Sequence, residues 1–339
     1  MNKYLVILLM VIFYLQCTNS PNDSSLTIYT HRHYDVDKEI FANFEKEMGV
    51  KINVVNASAD ELIQRIESEG DQTPADLLIT VDAGRLVRAK EKNLFQNFNS
   101  SMIDSTIPDN LKDSENQWVG ITKRARVIVY SKERVDPSEL TSYEDLADGK
   151  WKNRILVRSS GNIYNQSLMS SLISANGEEN AMNWAKGITN NFAREPKGND
   201  RDQVKAILAK EGDIAIVNTY YIGRLLNSDD ELERRAGNAV NVFFPNQEDR
   251  GTHINISGIG IIKNSKKVEL ATLFIEYLLS KDVQEQFATA NYEYPINSNA
   301  LSASVLEEWG DFKEDTLPLQ RLGELNKEAV MVFDRAGWP

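Results

Sequence analysis

From residue 26 onward, short apolar runs of strand type alternate with amphipathic helices, and this alternation confines the chain to the α/β folds. Residues 26–29 read as a short apolar strand. Asp35-Val36-Asp37 then offers N-cap candidates for a helix whose apolar face is Ile40, Phe41, Phe44 and Met48, with Gly49 as its stop. Residues 51–55 read as the next strand. The 59–69 segment reads as a helix turning Leu62, Ile63 and Ile66 inward, closed by Gly70, and 76–81 as a fully buried strand. A helix around 86–92 follows. This order predicts a parallel, doubly wound sheet, because a crossover helix packs back onto a right-twisted sheet in one hand only.

The β-rich run 126–130 opens a second series: 155–158 as strand, then 165–175, 181–190 and 203–210 as helices, and 213–217 as strand. Residues 240–244 close it at Pro245. Residues 258–262 read as a strand returning to the first sheet, and 268–280 as a helix with Leu270, Ala271, Phe274 and Leu278 on one stripe. At 339 residues the chain suits two domains. The expected architecture is therefore bilobed, two doubly wound mixed-sheet domains joined by two hinge crossovers near 124–127 and 244–248, the type II periplasmic-binding-protein fold. Its N-terminal lobe would comprise 26–125 plus 248–298, and its C-terminal lobe 126–247 plus 299–339.

The opening residues differ in kind. Met1-Asn2-Lys3 is a basic start and 4–15 is almost unbroken apolar sequence, shorter than the ~20 residues a bilayer-spanning helix needs and suited to an export signal over 1–16. Cys17 follows, then a polar tether to Ser25. Cys17 is the single cysteine, which excludes an intramolecular disulfide. A lone cysteine after an apolar run resembles the acylated residue of bacterial lipoproteins, although Tyr14 and Gln16 stand where a leucine and a small residue are usual; an incidental cysteine in a cleaved signal is the other reading. The formal net charge of −12 argues against nucleic acid as a partner.

Ligands of an α/β cleft gather at the C-terminal ends of its strands. His33-Tyr34 follows the first strand, Tyr164 follows 155–158, and Tyr220-Tyr221 follows 213–217, so three groups fall on expected binding loops. Tyr220 and Tyr221 read as the first turn of a helix, where exposed N–H groups and the helix dipole favour phenolate over phenol. A hard trivalent cation prefers such anionic oxygens. Two packed interface tyrosines with wet hydroxyls are the plain alternative.

Several segments carry a family resemblance. They include Thr30-His31-Arg32-His33-Tyr34-Asp35, Thr122-Lys123-Arg124-Ala125-Arg126-Val127, Arg158-Ser159-Ser160-Gly161-Asn162-Ile163-Tyr164 and Asn218-Thr219-Tyr220-Tyr221. Arg250-Gly251-Thr252-His253-Ile254-Asn255 and the ending Phe333-Asp334-Arg335-Ala336-Gly337-Trp338 continue it. In order, from about residue 26 to 339, they resemble the periplasmic ferric-iron-binding proteins of iron ABC transporters, and among these the branch that holds metal with one His and four Tyr. The resemblance implies Fe3+ on His33, Tyr34, Tyr164, Tyr220 and Tyr221. It also implies delivery to an inner-membrane ABC permease with its ATPase, a periplasmic or envelope location with Cys17 as lipid anchor, and action as a monomer.

Four phenolates around Fe3+ leave one surplus negative charge, which a guanidinium from Arg124 or Arg126 would offset; both could equally be strand-face cations. His31 is expected to point away from His33 on extended backbone, and His253 to organise the hinge or cleft wall. Tyr130, Tyr143, Tyr277, Tyr292 and Tyr294 fit packing roles, and Asp35 and Asp37 fit caps. No His-Glu-x-x-His, Gly-x-Ser-x-Gly or P-loop is present, and Gly258-Ile259-Gly260 stops short of a dinucleotide fingerprint. The expectation is a binding protein and not an enzyme. A carrier of another small solute such as a polyamine, or a cleft enzyme on the same scaffold, are the alternatives.

Overall fold

The computed structural model describes residues 25–339. The expected signal segment, Cys17 and the tether up to residue 24 lie outside the described residues. Eight strands form one curled mixed sheet: β1 (Ser25–Thr30), β2 (Lys51–Asn56), β3 (Leu77–Val81), β4 (Trp118–Ser131), β5 (Ile155–Leu156), β6 (Ile214–Asn218), β7 (Val240–Phe243) and β8 (Ile254–Ile261). Their order is β2-β1-β3-β8-β4-β6-β5, with β7 beside β4. β1 runs parallel to β2 and β3, whereas β8 is antiparallel to both β3 and β4.

Around the first half of the sheet come α1 (Asp35–Met48), α2 (Ala59–Glu69), α3 (Ala83–Glu91) and α4 (Ser101–Thr106). The second half carries α5 (Ile163–Asn191), α6 (Asp200–Leu208), α7 (Thr219–Leu226) and α8 (Glu231–Asn238). After β8 follow α9 (Val268–Leu278), α10 (Lys281–Asn291), α11 (Ser304–Glu308), α12 (Gln320–Glu324) and α13 (Asn326–Ala336). Local sequence explains their ends. α1 stops at Gly49, whose φ of 66° suits a residue without a Cβ. α2 starts at a reciprocal capping box, Glu61 N–H to Ser58 Oγ at 3.3 Å and Ser58 N–H to Glu61 Oε2 at 2.9 Å. α9 turns Phe274 against Phe41 and Phe44 of α1, with ring centroids 5.5 and 5.0 Å apart. Burying a phenyl group this completely contributes about 1.5–3 kcal/mol. A second core gathers Trp151, Trp184, Phe333 and the penultimate Trp338 around α5 and α13.

β4 is the strand that joins the halves. Its Trp118–Ala125 stretch pairs with β8, and Arg126–Tyr130 pairs with β6. Hydrophobic pattern reveals only the run 126–130, because Thr122, Arg124 and Arg126 are buried polar residues and break the apolar alternation. β5 is shorter than expected. After Leu156 the backbone leaves the ladder, and the Arg158 carbonyl accepts from Asn165 Nδ2 at 2.9 Å and Trp338 Nε1 at 3.0 Å. The two expected helices over 165–190 join end to end as α5, broken at Gly177 (φ 80°, ψ 161°). Gly251 shapes the return crossover: its φ is 94°, and a Cβ there would meet the Glu314 carbonyl carbon at 2.7 Å. α12 packs on both α3 and α5, so the C-terminal segment also spans the two halves. No described helix is long and apolar enough to cross a membrane.

Candidate functional site

Helix starts bring the tyrosines together. Tyr34 is the N-cap residue of α1, Tyr164 is the second residue of α5, and Tyr220 and Tyr221 are the second and third residues of α7. Asn162 caps α5 by accepting the Tyr164 N–H at 3.2 Å, which fixes where that ring leaves the helix. The Tyr164 and Tyr220 hydroxyls stand 3.4 Å apart, and the Tyr220 and Tyr221 rings pack at 4.1 Å between centroids. A cavity of about 230 Å³ lies between the walls, lined by His31, Tyr34 and Val81 on one side and Tyr164, Tyr221 and Arg224 on the other. His33 reaches its rim: it is exposed, its ring stacks on Tyr34 at 5.5 Å, and its Nδ1 faces the His31 carbonyl at 3.3 Å.

Burial decides the protonation of these phenols. Burial and then the charge of Glu293 push the Tyr34 hydroxyl up to about 12, against the pull of Arg32. Burial also raises Tyr220 and Tyr221 well above the ordinary tyrosine range, and repulsion from neighbouring phenolates, Tyr164 first, adds to it. The helix-dipole expectation is thereby corrected. Loss of water outweighs the dipole, so these three hydroxyls stay protonated at neutral pH.

Two arginines on β4 play different parts. Arg126 is neutralised: its Nη1 lies 2.7 Å from Asp200 Oδ2 and its Nη2 donates to Asn165 Oδ1 at 2.9 Å. Arg124 is 2% exposed, yet none of its three nitrogens has a hydrogen-bond partner among the described residues. Its Cζ stands 5.4 Å from the Tyr164 ring centroid, and its charge favours ionisation of Tyr34 and Tyr220. Against the effect of burial, its charge, after that of Arg32, also helps hold the Glu293 carboxylate below its ordinary range, but a buried guanidinium without a hydrogen-bond acceptor remains costly.

Three residues around the site escape sequence reasoning. Arg32 is locked between Asp37 and Glu293, each at 2.9 Å, and its Cζ lies 4.8 Å from the Tyr34 ring centroid. Arg224 approaches the Tyr34 ring at 5.4 Å. Its place one turn after Tyr220 on α7 was a readable signal; the role of Glu293 left none. Asp37 is accordingly a buried ion-pair partner, not a cap, whereas Asp35 is exposed and pairs with Lys38 at 2.8 Å. His31 does not point away: the chain leaves extended conformation after Thr30, and the ring lines the cavity with Nδ1 3.4 Å from the Ala57 carbonyl. His253 sits in the return crossover, its N–H 3.2 Å from the Tyr143 hydroxyl. Burial, then Arg126 and Arg250, hold its imidazole down to about 3, so it stays neutral. Among the described residues, no three His, Cys, Asp or Glu side chains cluster to hold a metal.

A curled mixed sheet crossed by β4, with its polar site between two walls, defines a bilobed solute-binding protein of type II. The chain belongs to the bacterial extracellular solute-binding proteins, whose family model matches residues 72–313. It is 47% identical over 313 residues to iron uptake protein A1 of Synechocystis, covering 92% of this chain and 87% of that one. A Trichodesmium protein (IdiA, FutA), solved in complex with iron and citrate ligands, superposes with a TM-score of 0.91 at 48% identity, over 93% of this chain and all of that one. The ferric binding protein from Campylobacter jejuni follows at 0.88 and 42%, over 93% and 100%.

Proposed function

We propose that this chain binds ferric iron outside the cytoplasm and delivers it to an inner-membrane ABC permease with its ATPase, acting as a monomeric carrier and not as an enzyme. The ligands are Tyr34, Tyr164, Tyr220 and Tyr221, with His33 swinging inward from the rim as the fifth donor. The observation that carries this reading is the convergence of phenols from three helix starts near the guanidinium of Arg124, which has no hydrogen-bond partner among the described residues. Four phenolates on Fe3+ leave one negative charge, and Arg124 supplies the matching positive one. Arg126, already spent on Asp200, does not. Names borne by the relatives, iron uptake and ferric binding, agree with this chemistry.

The lobes are 26–125 plus 248–298 and 126–247 plus 299–339, with α12 of the second reaching α3 of the first. A polyamine would need free carboxylates in the cleft. Those near it are engaged instead: Asp37 and Glu293 by Arg32, Asp200 by Arg126 and Arg158. Because the phenolates already outnumber the ferric charge, an external anion would add repulsion in a dry cleft, and iron binds without one. Cys17 carries the acyl anchor, which mass spectrometry of native material reads directly.

Titrating the purified protein with a ferric salt in bicarbonate- and citrate-free buffer tests the reading. A phenolate-to-iron absorption band that saturates at one ion per chain is expected. A colourless product, or a band that appears only when bicarbonate or citrate is added, overturns the ligand set.

A further inference from the structure

Asp82 follows β3, directly behind Val81 of the cleft cavity. Its backbone lies at φ 82°, ψ 121°, a region that residues with a Cβ rarely occupy, and its side chain is fully buried. The carboxylate makes no ion pair among the described residues. Three neutral donors hold it instead. Oδ1 accepts from the Gly84 N–H at 2.9 Å and from Ser167 Oγ at 2.7 Å, and Oδ2 accepts from Asn255 Nδ2 at 2.9 Å. Asn255 Oδ1 completes the ring by accepting the Ala83 N–H at 2.9 Å.

A helix cap alone would need only the Gly84 bond. The other two bonds reach across the molecule. Asn255 belongs to β8, immediately after the return crossover, and Ser167 lies on α5, three residues beyond Tyr164 and beside Leu168 of the second core. One strained, buried residue therefore ties together the first half-sheet, the crossover strand and the helix that presents Tyr164. Space there is tight as well: a Cβ on Gly84 would stand 3.2 Å from Asp82 Oδ1 and 3.7 Å from Ser167 Oγ. Strain of this kind persists only where surrounding bonds over-determine it, and it marks sites where geometry must be held.

We propose that Asp82 is the pivot of the cleft, a positioning residue whose carboxylate keeps α5 at a set distance from β3 while the lobes open and close. Its place beside the crossover strand suits a point that moves little in hinge rotation. The pivot acts whatever the cleft carries. Without the Ser167 bond, the metal-free lobes lose a fixed stop and sample wider openings.

Small-angle scattering of the metal-free protein tests this in two independent variants. Ser167→Ala removes the α5 arm alone. Asp82→Asn tolerates the backbone angle but sets an amide against the Asn255 donor. Both are expected to raise the metal-free radius of gyration and broaden the distance distribution. Ser170→Ala, which removes from the same helix a buried hydroxyl that has no hydrogen-bond partner among the described residues, should match the wild type. Hydrogen exchange should quicken about tenfold at Ala83 in Asp82→Asn, the loss of one charge-assisted bonded ring, while Ile79 stays protected and so reports an intact sheet. Wild-type dimensions in both variants overturn the pivot. Ferric salt added to the same samples reports separately on the metal reading: a visible band without expansion sinks the pivot alone, and expansion without a band sinks the metal site alone.

Discussion

The wall built by α5 and α7 carries three phenols on the first turns of two helices, with one ring packed on another and one helix capped by Asn162. The wall built by residues 31–34 carries one phenol, at the N-cap of α1, and one exposed imidazole on the non-helical backbone before it, with the guanidiniums of Arg32 and Arg224 4.8 and 5.4 Å from the phenol ring. The contrast separates preorganisation from capture. In the proposed site, regular helix starts would fix three donors in place before any ion arrives. The other wall offers Tyr34 beside two guanidiniums and leaves His33 at the rim, so in the proposed site it would add its donors last. On the proposed ligand set, closure would follow from ligands that bridge the walls, since an ion touching both would favour a closed state over an open one.

The sharpest way to break this contrast is to strip the preorganised wall. Tyr220→Phe with Tyr221→Phe should abolish the visible band and the ferric affinity, whereas Tyr130→Phe, which loses only a contact from Asn241 Nδ2, should leave both unchanged. A full band in the double variant would falsify the assignment. The next largest effect comes from acid. Tyr34, Tyr220 and Tyr221 are raised above the ordinary tyrosine range, so throughout neutral and mildly acidic solution each carries a proton that the metal must displace. Affinity therefore rises with pH, by about a factor of a thousand per unit for three protons, and collapses on acidification. Calorimetry in buffers of differing ionisation enthalpy counts the protons; a count of zero contradicts the phenol set.

Within the wall of residues 31–34, Tyr34→Phe keeps the ring beside its two guanidiniums and removes the anion. Ferric affinity should fall by more than about 100-fold, beyond the 10–100-fold typical of groups that only support a ligand, and the band should weaken but survive on the other wall. Arg124→Met should cost about 10–100-fold, with Arg126→Met distinguished from it by a lowered thermal midpoint, because buried Asp200 would lose its nearer cation and keep only Arg158 at 3.3 Å. His33→Ala sits at the small end. A loss of less than about tenfold is expected, with the band nearly intact, since charge transfer arises from phenolate and not imidazole; equal losses in His33→Ala and the Tyr220, Tyr221 double variant would erase the distinction between the walls.

Much of this was legible in local pattern. Strand–helix alternation predicted the parallel pairing of β1 with β2 and β3, because these strands and α1 to α3 have periods that few residues suffice to show, whereas the antiparallel pairings of β8, β4 and β6 that join everything into one mixed sheet are set by distant partners. The tyrosines could be placed at strand ends for the same reason. β4 was half hidden, since Arg124 and Arg126 interrupt its apolar run, and the extra strand length became visible only through pairing with β8. His31 was misdirected by assuming that β1 continued past Thr30.

By itself, then, the sequence determined which residue types reach the cleft and in what order, because strand ends and helix caps are written within a few residues. Only the tertiary structure decided what those groups are worth. Arg124 and Arg126 are alike in sequence, but Arg126 meets Asp200 and Arg124 meets no hydrogen-bond acceptor among the described residues. Tyr220 sits at a dipole that favours its anion, but burial raises it instead. Asp82 looks like an ordinary cap until Ser167 and Asn255, 85 and 173 residues away, close on it. Desolvation and pairing depend on neighbours distant along the chain, and folding is what chooses them.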